Sequence, residues 1–485
     1  MDSTWHHLGQ RIFQDVDQEG FAQLSGDYNP LHMDPVVARR LLFGKTVVHG
    51  IHTLLWALDE WLGRHGHWIE LTKIEAHLLK PIGLGESVSC RYLFSARGSL
   101  KLELRTAHGE LAARIKLAYV TLEAEEFREP RPTDAFPARE ETRYLNEATI
   151  PGTSGETSLF LSMESARRLF PNAIALLPPH QLALLLATTR IVGVLCPGRR
   201  SVYSDLTLSF VNPTGLASPS LSYSVADYDP RFSRVTLAVE SAGCSGELKA
   251  FLRPTPQQQA SVPLLRQRII AGEFSNQRAL IVGGSRGIGE VTAKLIAAGG
   301  GHVFLTYAAG EADARRIASE IETEGLHAHV DHLDVLHPLS DSLVERVTAW
   351  APTHLYYFAT PFISPSPRDV FSDVMFAKFC SFYVSGFHRL IASPLALGIQ
   401  RVFYPSSIYI DEMPLGFAEY VTAKQAGETL CSYLEANREG LLCYRPRLPQ
   451  VATDQTVGLI PMQKTDAADV LLNHLRIFAT KGGPG

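Results

Sequence analysis

A short polar run near the start of the chain places an acid and an imidazole on either side of a tight turn. Asp27 and His32 flank Asn29-Pro30 in the run Ser-Gly-Asp-Tyr-Asn-Pro-Leu-His. Because an Asn-Pro pair favours a turn, the carboxylate and the imidazole can face one small volume, where they could hold and deprotonate a water molecule. The plainer alternative is that Asp27 is an Asx-turn residue and His32 a hydrogen-bonded histidine without a catalytic role.

A backbone amide is the third group assigned to this site. Gly50 follows His49 at the start of a helical pattern that runs from Val47 to Leu62. An amide at a helix N-terminus can stabilise negative charge. An amide at the His49-Gly50 helix start can therefore stabilise the negative charge that develops on a thioester oxygen during enolate formation.

A glycine-rich run in the last third of the chain has the pattern of a phosphate-binding loop. It follows a predicted strand and opens a predicted helix, a context in which glycines let backbone amides approach a pyrophosphate. The residues predicted to bind this cofactor are Gly283, Ser285, Arg286, Gly287, Ile288 and Gly289.

Two side chains on a later predicted helix could handle a proton. Tyr420 and Lys424 are four residues apart and share a helix face, so the ammonium can lower the pKa of the phenol and make it a usable donor. Ser407, at the end of a predicted strand, can bind a substrate carbonyl while a nicotinamide supplies hydride. Taken alone, Tyr-x-x-x-Lys is usually a solvated helix face; the glycine loop favours the functional interpretation.

The elements that must position these residues fall into three segments. The chain has 485 residues, and its apolar pattern is interrupted at 123–134 and at 254–263 by runs rich in proline, charge or glutamine. These joints predict domains at 1–125, 140–253 and 270–485. The first two segments each predict one helix followed by several strands, a weak internal duplication of α+β type. The third alternates short apolar strands with helices, as in a parallel doubly wound sheet.

The composition argues against several classes of partner. Hydrophobic residues make up 45% of the chain, and 45 basic residues face 50 acidic ones, for a net charge of −5. This balance gives no electrostatic footprint for nucleic acid or an anionic membrane. We recognise no secretory signal and no membrane span, so a cytoplasmic location is expected. Six cysteines without CxxC spacing predict reduced, mostly buried thiols and no metal site.

The run from Phe21 to His52 resembles the MaoC-like, (R)-specific enoyl-thioester hydratases and dehydratases of the hot-dog fold. The resemblance implies that Asp27 and His32 are the catalytic dyad and that Gly50 is the oxyanion donor. The second segment lacks such a run and looks like the degenerate half of a double hot-dog, which shapes the acyl tunnel. The alternative is an unrelated α+β spacer.

The third segment resembles the short-chain dehydrogenase/reductase family over most of its length. The resemblance implies catalytic roles for Ser407, Tyr420 and Lys424, with the last two also at the cofactor. It also implies that Asp334 is the acid on the adenine side and that Thr453 lies at the cofactor.

Several positions depart from that family's pattern. They are Val282 in place of threonine, Tyr357-Phe-Ala-Thr360 in place of Asn-Asn-Ala-Gly, Tyr383 in place of the catalytic asparagine, and Gln450 in place of glycine. Since the asparagine normally helps to organise a proton relay, we expect slow turnover, a rewired relay or an unusual substrate.

The predicted fold class is an α+β double hot-dog followed by an α/β Rossmann doubly wound parallel sheet. The leading functional hypothesis is a bifunctional enzyme of fatty-acid or polyketide metabolism, expected as a homo-oligomer. It would reduce a 3-oxoacyl thioester on coenzyme A or acyl carrier protein and dehydrate the product, or run in reverse. In the alternatives, the reductase half acts on another carbonyl or is only a cofactor-binding module.

NADP(H) is the predicted cofactor. The second strand of the third segment ends without an acid before Glu311, whereas NAD-binding sites commonly place an acid there for the ribose hydroxyl. Arg286 can meet a 2′-phosphate with a charge-assisted hydrogen bond. The alternative is that Arg286 merely caps a surface loop.

Overall fold

The computed structural model describes residues 4–96, 98–122, 133–211, 219–366, 371–456 and 465–480. The chain divides into two units, residues 1–255 and 256–485. The predicted joint at 254–263 coincides with this division, whereas most of the joint at 123–134 lies outside the described residues. Within the described part of the chain, none of the helices has the length and hydropathy that a bilayer span requires.

The first unit is built on one antiparallel sheet. Its described elements are β1 (His6–Ile12), α1 (Asp15–Ser25), α2 (Pro30–Met33), α3 (Pro35–Ala38), α4 (Gly50–His65), β2 (Ile69–Leu78), β3 (Ser87–Ala96), β4 (Ser99–Thr106), β5 (Leu111–Thr121), β6 (Ser154–Ser158), α5 (Met163–Leu169), α6 (Pro171–Leu176), α7 (Pro179–Arg190), β7 (Ser201–Phe210), β8 (Ser220–Asp229), β9 (Arg234–Ser241) and β10 (Cys244–Leu252). A π-helical turn, Ile191–Leu195, continues α7. The strand order is β1-β3-β4-β5-β2-β7-β10-β9-β8-β6.

Two apolar helices, one from each half of this unit, share a core with the sheet. Every residue of α7 is buried, and the buried apolar side chains of α4 and α7 belong to one hydrophobic cluster with those of the strands. Antiparallel pairing of β2 with β7, from Lys73 opposite Ser209 to His77 opposite Asp205, joins the halves. The segments expected at 1–125 and 140–253 therefore contribute strands to the same sheet.

The second unit is built on a parallel sheet. Its described elements are α8 (Val262–Arg266), β11 (Arg278–Val282), α9 (Gly287–Ala298), β12 (His302–Tyr307), α10 (Glu311–Thr323), β13 (Ala328–His332), α11 (Asp341–Trp350), β14 (His354–Tyr357), α12 (Asp373–Cys380), α13 (Phe387–Ile391), β15 (Arg401–Phe403), β16 (Ser406–Ser407), α14 (Tyr409–Glu412), α15 (Ala418–Asn437), β17 (Leu442–Tyr444), β18 (Arg447–Leu448) and α16 (Ala467–Thr480). A π-helical turn, Ser381–Gly386, joins α12 to α13. The main sheet has the order β13-β12-β11-β14-β15-β17, and β16 pairs with β18.

The short apolar runs of the third segment at 279–282, 303–306, 355–358 and 402–404 predict strands, and these are present as β11, β12, β14 and β15, each within one residue of those limits. The second unit begins at Pro256, and Val262 and Leu265 of α8 are fully buried in its core. All pairs in the main sheet are parallel, so the carboxyl ends of its strands share one edge, where ligands bind in such sheets.

Candidate active sites

The backbone between α1 and α2 brings the side chains of Asp27 and His32 close together. Helix α1 ends at Gly26, whose φ of 77° is in the left-handed region that favours glycine. Asn29 then caps the one-turn helix α2 by accepting a hydrogen bond from the Leu31 amide at 3.0 Å. The predicted turn is thus a helix start with proline at its first position, and His32 lies on that helix.

A third side chain, His49, completes this group. One ligating atom from each of Asp27, His32 and His49 lies within 4.8 Å of the other two, and the two imidazole rings stack with centroids 3.9 Å apart. His32 Nδ1 donates to the Val47 carbonyl at 2.7 Å, and His49 Nε2 donates to the Asp27 carbonyl at 2.9 Å. Because a carbonyl only accepts, these contacts fix the tautomers and leave a lone pair on His32 Nε2.

Burial sets the protonation of these groups. It raises the pKa of Asp27, against the lowering effect of His32 and of a hydrogen bond from Thr189. It lowers the pKa of His32 to about 3, helped by the neighbouring His49, and that of His49 to about 3. Both imidazoles are therefore neutral at pH 7 and can accept a proton.

The stacked rings are poorly arranged for a metal ion. Imidazole lone pairs lie in the ring plane, and the planes of His32 and His49 are only 26° apart. Two nearly parallel ring planes do not meet near the rings, so their lone pairs do not converge on one point, as the ligands of a tetrahedral ion must. The arrangement suits proton transfer.

The second half of the unit contacts the Asp27 carboxylate. Thr189, on α7, donates its hydroxyl to Asp27 Oδ2 at 2.8 Å, and the Asn29 side chain donates to the Gly193 carbonyl at 2.9 Å. A Cβ on Gly193 would lie 2.3 Å from the Asp27 carboxylate, so the π-helical turn approaches the acid closely only because this residue is glycine. Each Asp27 oxygen still keeps a lone pair for water.

Gly50 begins α4, as predicted. Its amide is one of the first-turn donors that have no partner within a helix. A Cβ on Gly50 would lie 2.3 Å from Leu78 Cδ1, so a larger residue would displace the helix start. The amide, the carboxylate and the imidazole thus belong to neighbouring segments around His49.

The glycine loop of the second unit has the shape of a phosphate cradle. Gly283 and Gly287 have φ values of 80° and 56°, and a Cβ on Gly289 would lie 2.3 Å from the Gly283 oxygen. Ser285 is buried, and Arg286 is the extended residue before α9. Ile288 is in the first turn of α9, so the predicted residues form one strand-to-helix turn that fits a pyrophosphate.

Of the two other residues predicted at the cofactor, Thr453 lies beside this loop and Asp334 lies in a separate turn. A Cβ on Gly287 would lie 3.6 Å from Thr453, which places the threonine over the loop. Asp334 follows β13, and its carboxylate accepts from the Leu336 amide at 2.9 Å and contacts His337 Nδ1 at 2.8 Å. The Asp334 carboxylate is therefore held in a local turn near the carboxyl edge of the sheet.

Ser407, Tyr420 and Lys424 come together as predicted, but the pKa of the phenol moves the other way. Burial raises the pKa of Tyr420 to about 12, against a lowering hydrogen bond with Ser407. Burial also lowers the pKa of Lys424 to about 7, and its Nζ donates to the Pro405 carbonyl at 2.8 Å. The expectation that the lysine lowers the phenol's pKa omitted the cost of burying both groups.

The departures from the family pattern occur in contacting sets. Val282 pairs with Tyr357 in adjacent strands, and both are buried in one apolar cluster. The hydroxyls of Thr360 and Tyr383 hydrogen bond at 2.6 Å. A departure at one position is thus matched by a departure at its neighbour.

Three residues of these sites had no signal that we recognised in the sequence. Thr189 is in an apolar helix of a segment that lacks the Asp-x-Asn-Pro pattern, and His49 enters the predictions only as the neighbour of Gly50. Tyr404, whose hydroxyl donates to the Tyr383 carbonyl at 2.8 Å, has the sequence pattern of an ordinary strand residue. For His49, the conspicuous His-Gly-Ile-His run was the available signal.

Comparisons with known proteins find one family in each unit. The MaoC like domain family matches residues 8–103, and the short chain dehydrogenase family matches residues 277–352. The peroxisomal hydratase-dehydrogenase-epimerase of Saccharomyces cerevisiae is 37% identical over 60 residues, which span 12% of this chain and 7% of the yeast protein.

Solved structures similar to each unit are also known. A short chain dehydrogenase from Burkholderia cenocepacia in complex with NADP is 24% identical, with a TM-score of 0.38, over 43% of this chain and 93% of that one. A MaoC-like dehydratase is 13% identical, with a TM-score of 0.38, over 52% of this chain and 98% of that one. From the two family matches, the chain carries a MaoC-like dehydratase domain followed by a short-chain dehydrogenase domain.

Proposed function

We propose that the first unit hydrates 2-enoyl thioesters to (R)-3-hydroxyacyl thioesters and catalyses the reverse dehydration. The observation that carries this proposal is the group of buried Asp27, half-buried His32 and buried His49, in which the tautomer of His32 leaves Nε2 ready to accept a proton. In the proposed fold the two halves form a double hot-dog, and only the first half carries the dyad.

The hydration step follows from these contacts. A water molecule held between the Asp27 carboxylate and His32 Nε2 loses a proton to the dyad as its oxygen bonds to C3 of the enoyl thioester. The Gly50 amide stabilises the charge on the thioester oxygen. The dyad then returns a proton to C2, so the net change is the addition of one water.

In the second unit we propose a Rossmann-type site for NADPH-dependent reduction of 3-oxoacyl thioesters. The glycine loop would hold the cofactor's pyrophosphate, with Thr453 above it. The bound nicotinamide would supply hydride to the carbonyl carbon. Ser407 would bind the carbonyl oxygen, and Tyr420 would donate its phenolic proton to that oxygen.

The two activities share one intermediate, because the product of the reduction is the substrate of the dehydration. Joining them on one chain therefore makes chemical sense for fatty-acid or polyketide metabolism, with the acyl group on coenzyme A or acyl carrier protein. We propose domains at 1–125, 140–253 and 270–485, and a homo-oligomeric assembly.

A second candidate function for the second unit is cofactor binding without reduction of a 3-oxoacyl group. It is favoured by the packing of Tyr420, which is 7% exposed and is contacted by the rings of Phe379, Tyr383 and Tyr409. Binding of the reduced cofactor, without its oxidation by any 3-oxoacyl thioester supplied, would support this alternative.

The hydratase assignment is tested with Asp27→Asn. We expect this change to remove the general base and to lower crotonyl-thioester hydration by about 10²-fold or more, while the unfolding transition is retained. Hydration at the wild-type rate by the folded variant would refute the assignment.

The cofactor assignment is tested by titration. We expect the protein to bind NADPH more tightly than NADH, because Arg286 can form a charge-assisted hydrogen bond with the 2′-phosphate. Arg286→Ala should weaken this preference. Equal dissociation constants of the wild-type protein for the two cofactors would contradict this role of the loop.

A further inference from the structure

Two of the departures in the reductase site form a contact with each other. The Thr360 and Tyr383 hydroxyls are 2.6 Å apart, and the Tyr404 hydroxyl donates to the Tyr383 carbonyl at 2.8 Å. Tyr383 is also 1% exposed and belongs to the π-helical turn Ser381–Gly386, a feature frequent at functional sites. Its ring is therefore fixed at both its hydroxyl and its backbone.

The fixed ring lies against the ammonium of Lys424. Lys424 Nζ is 4.0 Å from the centroid of the Tyr383 ring and 5.4 Å from that of Tyr404. A cation this close to an aromatic face is attracted by the ring quadrupole, more strongly when both are removed from water. Lys424 is 8% exposed, so water contributes little to its solvation.

The other groups around Lys424 are engaged elsewhere or uncharged. Glu428, one turn further along α15, accepts from Ser406 Oγ at 2.5 Å and pairs with Arg447 at 2.8 Å. Cys431 is buried. The Pro405 carbonyl accepts one Lys424 hydrogen at 2.8 Å.

We propose that Tyr383 is a positioning residue of the reductase site, whose aromatic face holds the charged form of Lys424, and that Thr360 holds Tyr383 in place. Tyr383 and Thr360 thereby stand where the short-chain dehydrogenase/reductase family has its asparagine and glycine. This inference rests on the proposed reductase function, because a held ammonium matters where Lys424 assists Tyr420 and the cofactor.

The test changes the electrostatics of the ring without changing its shape. Tyr383→Phe provides the baseline, and phenylalanines carrying one, two or three fluorines at position 383 progressively cancel the ring quadrupole. The protonation of Lys424 is followed by NMR of protein labelled with ¹³C at the lysine ε carbon. The chain has eleven lysines, and Lys424→Arg identifies the signal.

We expect the titration midpoint of Lys424 to fall stepwise with fluorination, by about one pH unit at three fluorines. The pH at which carbonyl reduction is half-maximal should move in the same direction. A midpoint that stays constant or rises along the series would overturn the proposal. The same substitutions at Tyr433, which is 64% exposed on the same helix, should leave the midpoint unchanged.

Because the NMR titration needs neither cofactor nor turnover, it separates the two proposals. If the Lys424 titration midpoint falls stepwise in a protein that reduces no 3-oxoacyl thioester, the result supports the ring contact and counts against the proposed reduction. If the midpoint stays constant in a protein that does reduce them, the result refutes the ring contact and supports the proposed reduction. Thr360→Val, which removes the hydroxyl that contacts Tyr383, should lower the Lys424 titration midpoint by part of that amount. Thr360→Ser, which keeps the hydroxyl, should leave the midpoint unchanged.

Discussion

At the scale of single residues, burial removes the titratable groups of the first site from bulk solvent. Asp27 is 1% exposed and His49 is fully buried, so each proton in the group is placed by a specific hydrogen bond. The backbone amide of Asn29 and the hydroxyl of Thr189 supply the bonds to the Asp27 carboxylate. Removing either would leave a charged oxygen less stabilised in a dry site.

Thr189→Val tests this dependence. A hydrogen bond to a charged group contributes about 1.5–3 kcal/mol, so losing it should raise the pKa of Asp27 further and misplace its carboxylate. We expect hydration of crotonyl thioester at neutral pH to fall by about tenfold or more.

Thr189→Ser is the matched control, since it keeps the hydroxyl and should retain most of the activity. A valine variant that is folded and as active as the wild type would show that Thr189 does not support the base.

At the scale of elements, helices from both halves meet at the acid. The π-helical turn after α7 carries Gly193 against Asp27, and α4 begins at Gly50, directly after His49, which donates to the Asp27 carbonyl. Both helices are apolar enough to be predicted from the sequence, but the widened turn that brings Gly193 to the acid has no recognised sequence signature. Contacts between distant segments decide its position.

Gly193→Ala should damage the hydratase more than the fold. The added methyl would overlap the Asp27 carboxylate, and overpacking typically costs about 1–3 kcal/mol of unfolding free energy. We expect hydration to fall by about 10²-fold, measured beside a denaturant unfolding curve. Gly20→Ala, on α1 with its nearest neighbour atom 3.4 Å from the new methyl, should keep wild-type activity. Equal activities for the two variants would contradict the close approach.

His52 on α4 predicts a pH dependence of stability. Its two ring nitrogens are buried without a hydrogen-bond partner, and its ring stacks on Phe21 at 4.5 Å. Burial holds the pKa of His52 well below 6.5. The unfolded chain therefore takes up a proton below about pH 6.5 that the folded protein does not, and this lowers stability as the pH falls.

His52→Leu should remove the two buried nitrogens that lack hydrogen-bond partners and also the loss of stability in acid. We expect the free energy of unfolding to rise by about 1–2 kcal/mol near neutral pH, and the advantage over wild type to widen as the pH falls below about 6.5. Urea unfolding at several pH values measures this difference. The exposed His108, changed to leucine, should alter stability by less than about 0.5 kcal/mol. A His52→Leu advantage that narrows in acid would contradict the argument.

At the scale of the whole molecule, single strands could be predicted from the sequence better than the pairing of strands from distant segments. Strands such as β11 and β12 were predicted because short apolar runs between helices have few other solutions. The pairing of β2 with β7, which merges two expected domains into one sheet, depends on contacts across more than a hundred residues. The pKa of Tyr420 could not be predicted from its spacing to Lys424, because it depends on rings brought in from α12 and α14.

The central claim is that one chain carries two sites acting in sequence on one acyl group. Its most direct test is mass analysis of the products formed from a 3-oxoacyl thioester and NADPH. We expect the wild type to yield 3-hydroxyacyl and 2-enoyl thioesters, Asp27→Asn to stop at the 3-hydroxyacyl product, and Tyr420→Phe to leave the 3-oxoacyl thioester unchanged while still hydrating crotonyl thioester. A wild-type protein that forms neither product, or a folded Tyr420→Phe variant that has lost hydration as well, would contradict the claim.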